Sequence, residues 1–341
     1  MRVVATTVVR ESLRGKQETG WIYDVDLDAG TVVHKVPVPD PQFPNSDDNP
    51  RGGVRGGRGV AATDKGIVVA NYDTLTTFDD EWNVLDSLTH PLFVGLHEID
   101  WDGANLWLAA TGLDALLRVD AQGEVHVGWD PHESPLRGPY GLRGRPAPLD
   151  GGIDYRQPGT PRIDQLHLNG VAVHNGSAVV NCGLVRRRRS AVRRYWRRVQ
   201  AKLGGGAQRR EHGRFAARSF VAAVGNGGRP EILLELEHND FPSHNGQLLP
   251  DGRVAVNDST RNRLRIFAGG EAVTDIDVGG TWLRGLEPIG SQRLLVGTAP
   301  AAIVTVDLEA RRVEGKVQLS DDPHEAVHGL CVVRDRGSGA R

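Results

Sequence analysis

Six side chains occupy matching places in a pattern that recurs along this chain: Arg58, Glu98, Asn169, Asn245, Arg284 and His328. Three more histidines, His97, His167 and His244, stand one or two residues before members of that set. Imidazole, carboxylate and carboxamide groups converging from separate stretches of chain can coordinate a divalent cation. Oxygen donors alone suit calcium, whereas imidazoles suit zinc, iron or manganese. The candidate metal ligands are His97, Glu98, His167, Asn169, His244, Asn245 and His328. Without a metal, His328 or His244 paired with Glu98 can serve as general acid or base. Arg58 and Arg284 favour an anionic substrate group such as a carboxylate, phosphate or sulfate. Arg55, in the glycine-rich run 51–59, adds to them, and Tyr155 is a further candidate substrate contact. The glycine-rich run has no strand–helix context and is not a dinucleotide fingerprint.

These residues act together only if the elements carrying them converge, and the repeat supplies that convergence. Each copy opens with a small or polar residue and a glycine or apolar residue, then runs strand, tight turn, strand. Arg58-Gly59-Val60 leads to a turn at Asp64-Lys65-Gly66, and His97-Glu98-Ile99 leads to Asp102-Gly103. Asn169-Gly170-Val171 leads to Asn175-Gly176, and Asn245-Gly246-Gln247 to Asp251-Gly252. Arg284-Gly285-Leu286 leads to Gly290-Ser291, and His328-Gly329-Leu330 opens the last copy. Asx-Gly turns between apolar runs are strong hairpin signals. Uninterrupted copies start about 40 residues apart, the size of a four-stranded propeller blade. The fold class is therefore all-β, a single six-bladed β-propeller over residues 1–341. A seventh blade hidden in an insertion is the alternative.

The last copy has only its first strand before the chain ends. Val3–Val8, Trp21–Asp26 and Thr31–Val36 repeat the pattern of Leu294–Thr298, Ile303–Asp307 and Arg312–Val317. One C-terminal and three N-terminal strands thus close the ring, which removes its exposed edges. Two insertions break the period: 129–166, between blades two and three, and 183–218, inside blade three. Both, with the connection 37–57, belong on the rim where the first strands begin, and long loops on a rigid scaffold commonly carry function. Adjacent strand residues point opposite ways. A regular strand therefore cannot send both His97 and Glu98, or both His244 and Asn245, into the channel. The matched column is favoured, joined by one or two of the other histidines.

Net charge is −2, but residues 186–218 hold thirteen Lys or Arg and one Glu, leaving −14 on the rest. Within them, 186–203 reads as a basic amphipathic helix, with Val192, Tyr195, Trp196, Val199 and Leu203 on one face and arginines on the other. Such a helix suits an anionic membrane surface or an acidic partner; nucleic acid ranks below both. Cys182 and Cys331 lie in apolar runs with no zinc spacing, which suits a reducing compartment. The N-terminus lacks the form of a signal peptide. The expected location is the cytoplasm, with peripheral membrane attachment through the basic helix.

The Glu98, Asn169, Asn245 column in a six-bladed ring resembles the gluconolactonase, paraoxonase and strictosidine-synthase-like propellers. In hydrolytic members a Glu and two Asn help hold calcium, and the resemblance carries that role to these three residues. Arg284 and His328 stand where a further acidic ligand is expected. A closer resemblance is to an uncharacterised bacterial six-bladed β-propeller family. It rests on Asp164–Gly170, Pro242-Ser243-His244, Leu283–Leu286 and His97–Gly103, spanning about residues 97–300. The reading is an enzyme acting on a small or glycan-like anionic substrate, a metal-dependent hydrolase or lyase. Its rival is a non-catalytic propeller that docks through the basic helix.

Overall fold

The computed structural model describes residues 1–10, 19–46, 56–185, 217–225, 229–239, 243–259 and 261–333. The strands fall into six antiparallel sheets of four. The N-terminal strands are β1 (Arg2–Val9), β2 (Trp21–Asp26) and β3 (Thr31–Pro37). Blade one holds β4 (Val60–Ala62), β5 (Ile67–Ala70), β6 (Thr74–Phe78) and β7 (Val84–Thr89). Blade two holds β8 (Leu96–Trp101), β9 (Leu106–Ala110), β10 (Ala115–Val119) and β11 (Val125–Trp129). Blade three holds β12 (Leu168–His174), β13 (Ser177–Val185), β14 (Ala217–Val224) and β15 (Pro230–Asn239). Blade four holds β16 (His244–Leu248), β17 (Val254–Asp258), β18 (Arg263–Ala268) and β19 (Glu271–Asp277). Blade five holds β20 (Thr281–Ile289), β21 (Arg293–Ala299), β22 (Ala302–Asp307) and β23 (Arg312–Gln318). β24 (Glu325–Val333) pairs with β1 from Arg2↔Val333 to Val9↔Glu325, so blade six joins the two ends of the chain.

The apolar runs follow from this packing. Second strands such as β5 and β9 are buried along their whole length, because both faces meet a neighbouring blade. Outer strands such as β3 and β7 are largely exposed and accordingly polar or mixed. Each blade junction has its own apolar cluster. Val68 and Leu75 of blade one meet Leu106 and Leu108 of blade two. Leu295 and Ile303 of blade five meet Val3 and Tyr23 of blade six. At the closing blade, Thr7 Oγ1 and Tyr23 Oη donate to Glu325 Oε1 at 2.7 and 2.9 Å, tying β1 and β2 to the start of β24.

A second tie between blades comes from a polar residue in or just after the second strand. Thr111 Oγ1 donates to Leu168 O and Thr6 Oγ1 to Arg58 O. Asn181 Nδ2 donates to Ser243 O at 3.0 Å, and Asn257 Nδ2 to Gly285 O at 3.1 Å. Each contact runs from one blade to the first strand, or its approach, in the next. Buried carbonyls at the axis are satisfied this way. The glycine after the matched column has a related cause. A Cβ on Gly170 would lie 3.1 Å from the Asn245 Cα, where the inner strands converge.

The insertion 129–166 follows β11 as loop, with one turn of α-helix at Arg137–Tyr140. It folds onto blades one and two through buried groups. His132 Nε2 lies 3.3 Å from Asp114 Oδ2 in blade two, and Tyr155 sits 1% exposed in the cluster between those blades. The basic helix expected at 186–203 lies outside the described residues. No helix among the described residues is long and apolar enough to cross a membrane.

Candidate functional site

The inner strands β4, β8, β12, β16, β20 and β24 present their N-terminal ends to one mouth of the channel, and the pairing there departs from regular alternation. The register slips by one residue between Leu96 and Ile99, between Leu168 and Gly170, and between His244 and Gly246. It slips again between Arg284 and Leu286, and opposite Thr6/Thr7 where His328 is the extra residue. A bulge leaves one residue unpaired and bends the strand, so neighbours need not point to opposite faces. His167 and Asn245 take positive φ of +51° and +49° to make these turns.

The expectation is the matched column joined by one or two of the other histidines; the bulges bring all three of them in and turn the carboxamides of the column away. The four histidines come together as a chain. The rings of His328 and His97 are 5.4 Å apart, those of His97 and His167 also 5.4 Å, and those of His167 and His244 6.1 Å. Arg58 Nη1 reaches His97, 3.2 Å from Nε2. The matched carboxamides go elsewhere. Asn169 donates through Nδ2 to Ser243 O at 2.9 Å and accepts from Asn181 at 2.6 Å, a structural tie. Asn245 Nδ2 donates to Glu98 Oε2 at 2.6 Å, linking blade four to blade two. Glu98 thus meets Asn245 rather than His244 or His328, and the expected His–Glu pair is not formed. Tyr155 is also corrected, since its hydroxyl donates to Ala147 O and Pro148 O inside the loop. Arg55 lies outside the described residues.

Partner chemistry fixes the histidine tautomers. His97 Nδ1 is 3.0 Å from Gly95 O, which can only accept, so Nδ1 carries the proton. Thr111 Oγ1 gives its proton to Leu168 O and accepts from the same Nδ1 at 2.9 Å. The His97 Nε2 lone pair is left to accept from Arg58. His244 is held at Nδ1 by Ser259 Oγ, 3.3 Å away, and His167 at Nδ1 by Asp164 Oδ1, 3.3 Å away. Burial first, then the Arg58 charge, holds His97 well below the usual histidine range; burial and Arg284 do the same to His244.

Arg284 is 7% exposed. Its Nη1 donates to Ser259 Oγ at 2.8 Å and Leu283 O at 3.0 Å, and its Cζ lies 4.5 Å from the Trp282 ring centroid. Among the described residues it meets no carboxylate. The Arg10 Cζ lies 4.6 Å from the same Trp282 ring. Burial first, then Arg58 and Arg10, pushes the Arg284 guanidinium well below its ordinary value. Arg10, Ser259 and Trp282 were not among the sequence candidates. Ser259 and Trp282 flank motifs of the repeat, but nothing in their spacing marks them as site residues.

The candidate metal set does not fit a single ion as arranged. Asn169 is committed to Ser243 and Asn181, Asn245 to Glu98, and the His97 lone pair faces a guanidinium that would repel a cation. Among the described residues no three His, Cys, Asp or Glu side chains are grouped to hold one.

Below the histidines the channel opens into a cavity of about 520 Å³, lined in part by Glu98, Trp101, Asp102, Gln247, Glu287 and Cys331. Burial pushes the Glu98 carboxyl well above its usual value of 4.5, and the Asn245 hydrogen bond only partly opposes this. Above pH 4.5 the unfolded chain therefore releases a proton that the folded protein retains, and stability falls as pH rises. Glu98→Gln keeps an acceptor for Asn245 and cannot ionise. It is expected to gain on the order of 1 kcal/mol at pH 8 and almost nothing at pH 4.5. Urea melts of both proteins at the two pH values check this; an equal gain at both would refute the assignment. His97 and His244 act in the other direction, with stability lost as pH falls below about 6.5.

Comparison with solved structures agrees with the architecture. The chain aligns with a chain of the nidogen/laminin complex over 97% of each, with TM-score 0.56 and 10% identity. It aligns with a protein of unknown function from Bacteroides caccae over 98% of this chain and 99% of that one, with TM-score 0.54 and 12% identity. A gluconolactonase-like propeller matches over 77% of each chain, with TM-score 0.47 and 13% identity. No protein-family model and no curated protein matches the sequence. At these identities the first two comparisons bear on the fold alone, and the six blades are those of the sheet order.

Proposed function

We propose that the protein is an enzyme that binds a small or glycan-like anionic substrate at the channel mouth and moves a proton there, as a hydrolase or lyase does. The observation that carries this reading is Arg284, a guanidinium more than nine-tenths buried with no carboxylate among the described residues. Holding a charge out of water costs several kcal/mol unless an opposite charge answers it, and an anionic ligand supplies that charge. His244 stands beside it, kept neutral and held at Nδ1 by the same Ser259 that accepts from Arg284. A fixed cation next to a neutral imidazole suits proton transfer near an anionic group. The guanidinium holds developing charge while the imidazole takes or gives the proton. This reading routes no step through a metal.

The test incubates the protein and His244→Gln with uronates, sugar phosphates and sulfated sugars, following products by mass spectrometry. Turnover that falls about 100-fold or more in the variant is expected. Anion binding at the mouth without product from this panel would replace the enzyme by a non-catalytic binding propeller.

A further inference from the structure

We propose that the anionic group bound at the mouth is a phosphate monoester, favoured over a carboxylate. This deepens the reading above and rests on it. The two hydrogen bonds of Arg284 both use Nη1. The edge formed by Nε and Nη2 meets no acceptor among the described residues. That edge is the fork with which a guanidinium grips two oxygens of an oxyanion.

Two further guanidinium groups lie within electrostatic reach of that fork. Arg10 shares the Trp282 ring with Arg284, at 4.6 and 4.5 Å, and Arg58 acts on Arg284 from the His97 side of the mouth. Trp282 takes φ +55°, a conformation unfavourable for a bulky side chain, and its N–H donates to Asn262 Oδ1 at 3.1 Å. The strained backbone thus sets an aromatic ring against both cations. The attraction of each guanidinium for a ligand grows with the ligand's charge. A carboxylate brings one charge and two oxygens. A phosphate monoester brings close to two charges above its second pKa of about 6, with three oxygens, one more than the fork of Arg284 needs.

The carboxylates near the mouth are engaged elsewhere. Asp164 is at His167, Glu325 accepts from Thr7 and Tyr23, and Glu98 accepts from Asn245. The imidazoles of His97 and His244 are held neutral. A phosphoryl group would therefore enter a mouth where guanidinium charge predominates among the groups described.

The test is calorimetric titration of the whole protein at pH 7.5 and matched ionic strength. Glucose 6-phosphate is compared with glucuronate, and inorganic phosphate with acetate to remove the sugar. The phosphate of each pair is expected to bind at least about tenfold more tightly, with the preference lost in Arg284→Met and reduced in Arg10→Gln. Glucuronate and acetate binding as tightly or more tightly, and depending on Arg284, would overturn the phosphate assignment and leave the anionic-substrate reading intact. Phosphate binding unchanged in Arg284→Met would place it elsewhere, such as on the basic segment 186–218, and overturn the proposal. No binding of any of the four would remove both.

Discussion

Arg284→Met is expected to leave the fold about as stable and to weaken anion binding in the same protein. The first half follows from what the guanidinium leaves behind. Ser259 Oγ is 3.2 Å from Leu283 O and 3.3 Å from His244 Nδ1. With Arg284 gone, the serine still donates to that carbonyl and still meets the imidazole, so neither partner is orphaned. The losses are two charge-assisted hydrogen bonds, about 1.5–3 kcal/mol each, and a cation–π contact worth about 0.5–2 kcal/mol. The relief is the burial of a cation without a counter-charge, several kcal/mol. Methionine fills much of the same volume and packs on Trp282. The two sides nearly offset, and a change within about 2 kcal/mol of the parent is expected in anion-free buffer, read from denaturant melts. Anion affinity should drop about 100-fold, since truncating a buried charged partner commonly costs 2–5 kcal/mol. A variant clearly less stable than the parent would make Arg284 a structural residue and remove the observation on which the functional reading rests.

Why Arg284 was legible in the sequence while its partners were not has a physical basis. The fold is written in short-range signals. Asx-Gly turns set the hairpins, apolar second strands mark elements covered on both faces, and the match of Tyr23–Leu27 with Val304–Leu308 shows how the ring closes. Arg58, Arg284 and the histidines were visible because each blade repeats the same start, and the ring must bring equivalent starts to one mouth. Their orientation was not visible. Alternation assumes a regular strand, whereas the five slips in register turn His97, His167 and His244 toward one another and send Asn169 sideways. Bulges are made by backbone crowding at the axis, which no local pattern announces. The polar residue in or just after the second strand could have been found. Thr111, Asn181 and Asn257 recur twelve or thirteen residues after Glu98, Asn169 and Asn245. Tyr155 was misread because an aromatic residue in a long loop resembles a ligand contact until the loop is seen to pack into a blade junction.

The same limit hid Asp114, whose removal is expected to have the largest effect on stability. Asp114 is fully buried with φ +48°, a left-handed conformation that Asp and Asn tolerate better than most residues. Its carboxylate collects the returning insertion. Oδ2 accepts from the N–H groups of Gln165 and of Leu166, the latter at 2.8 Å, and lies 3.3 Å from His132 Nε2; Oδ1 accepts from Leu168 at 3.4 Å. The residues on both sides of His167 are thus held by one side chain, and His167 links His97 to His244 in the histidine chain. Asp114→Ala leaves several buried N–H groups without an acceptor, each costing about 1–3 kcal/mol, and puts alanine in an unfavourable backbone region. A loss of about 3–5 kcal/mol is expected, a large share of the 5–15 kcal/mol typical of a folded domain. Asp114→Asn keeps the shape, the backbone preference and one acceptor oxygen, and should lose about half as much. Urea melts give the two stabilities, and titration of the anion shows whether the mouth loosens with them. If Asp114→Ala cost under 1 kcal/mol, the insertion would be held by its apolar contacts instead, and His167 would owe its place to the bulge in β12 alone.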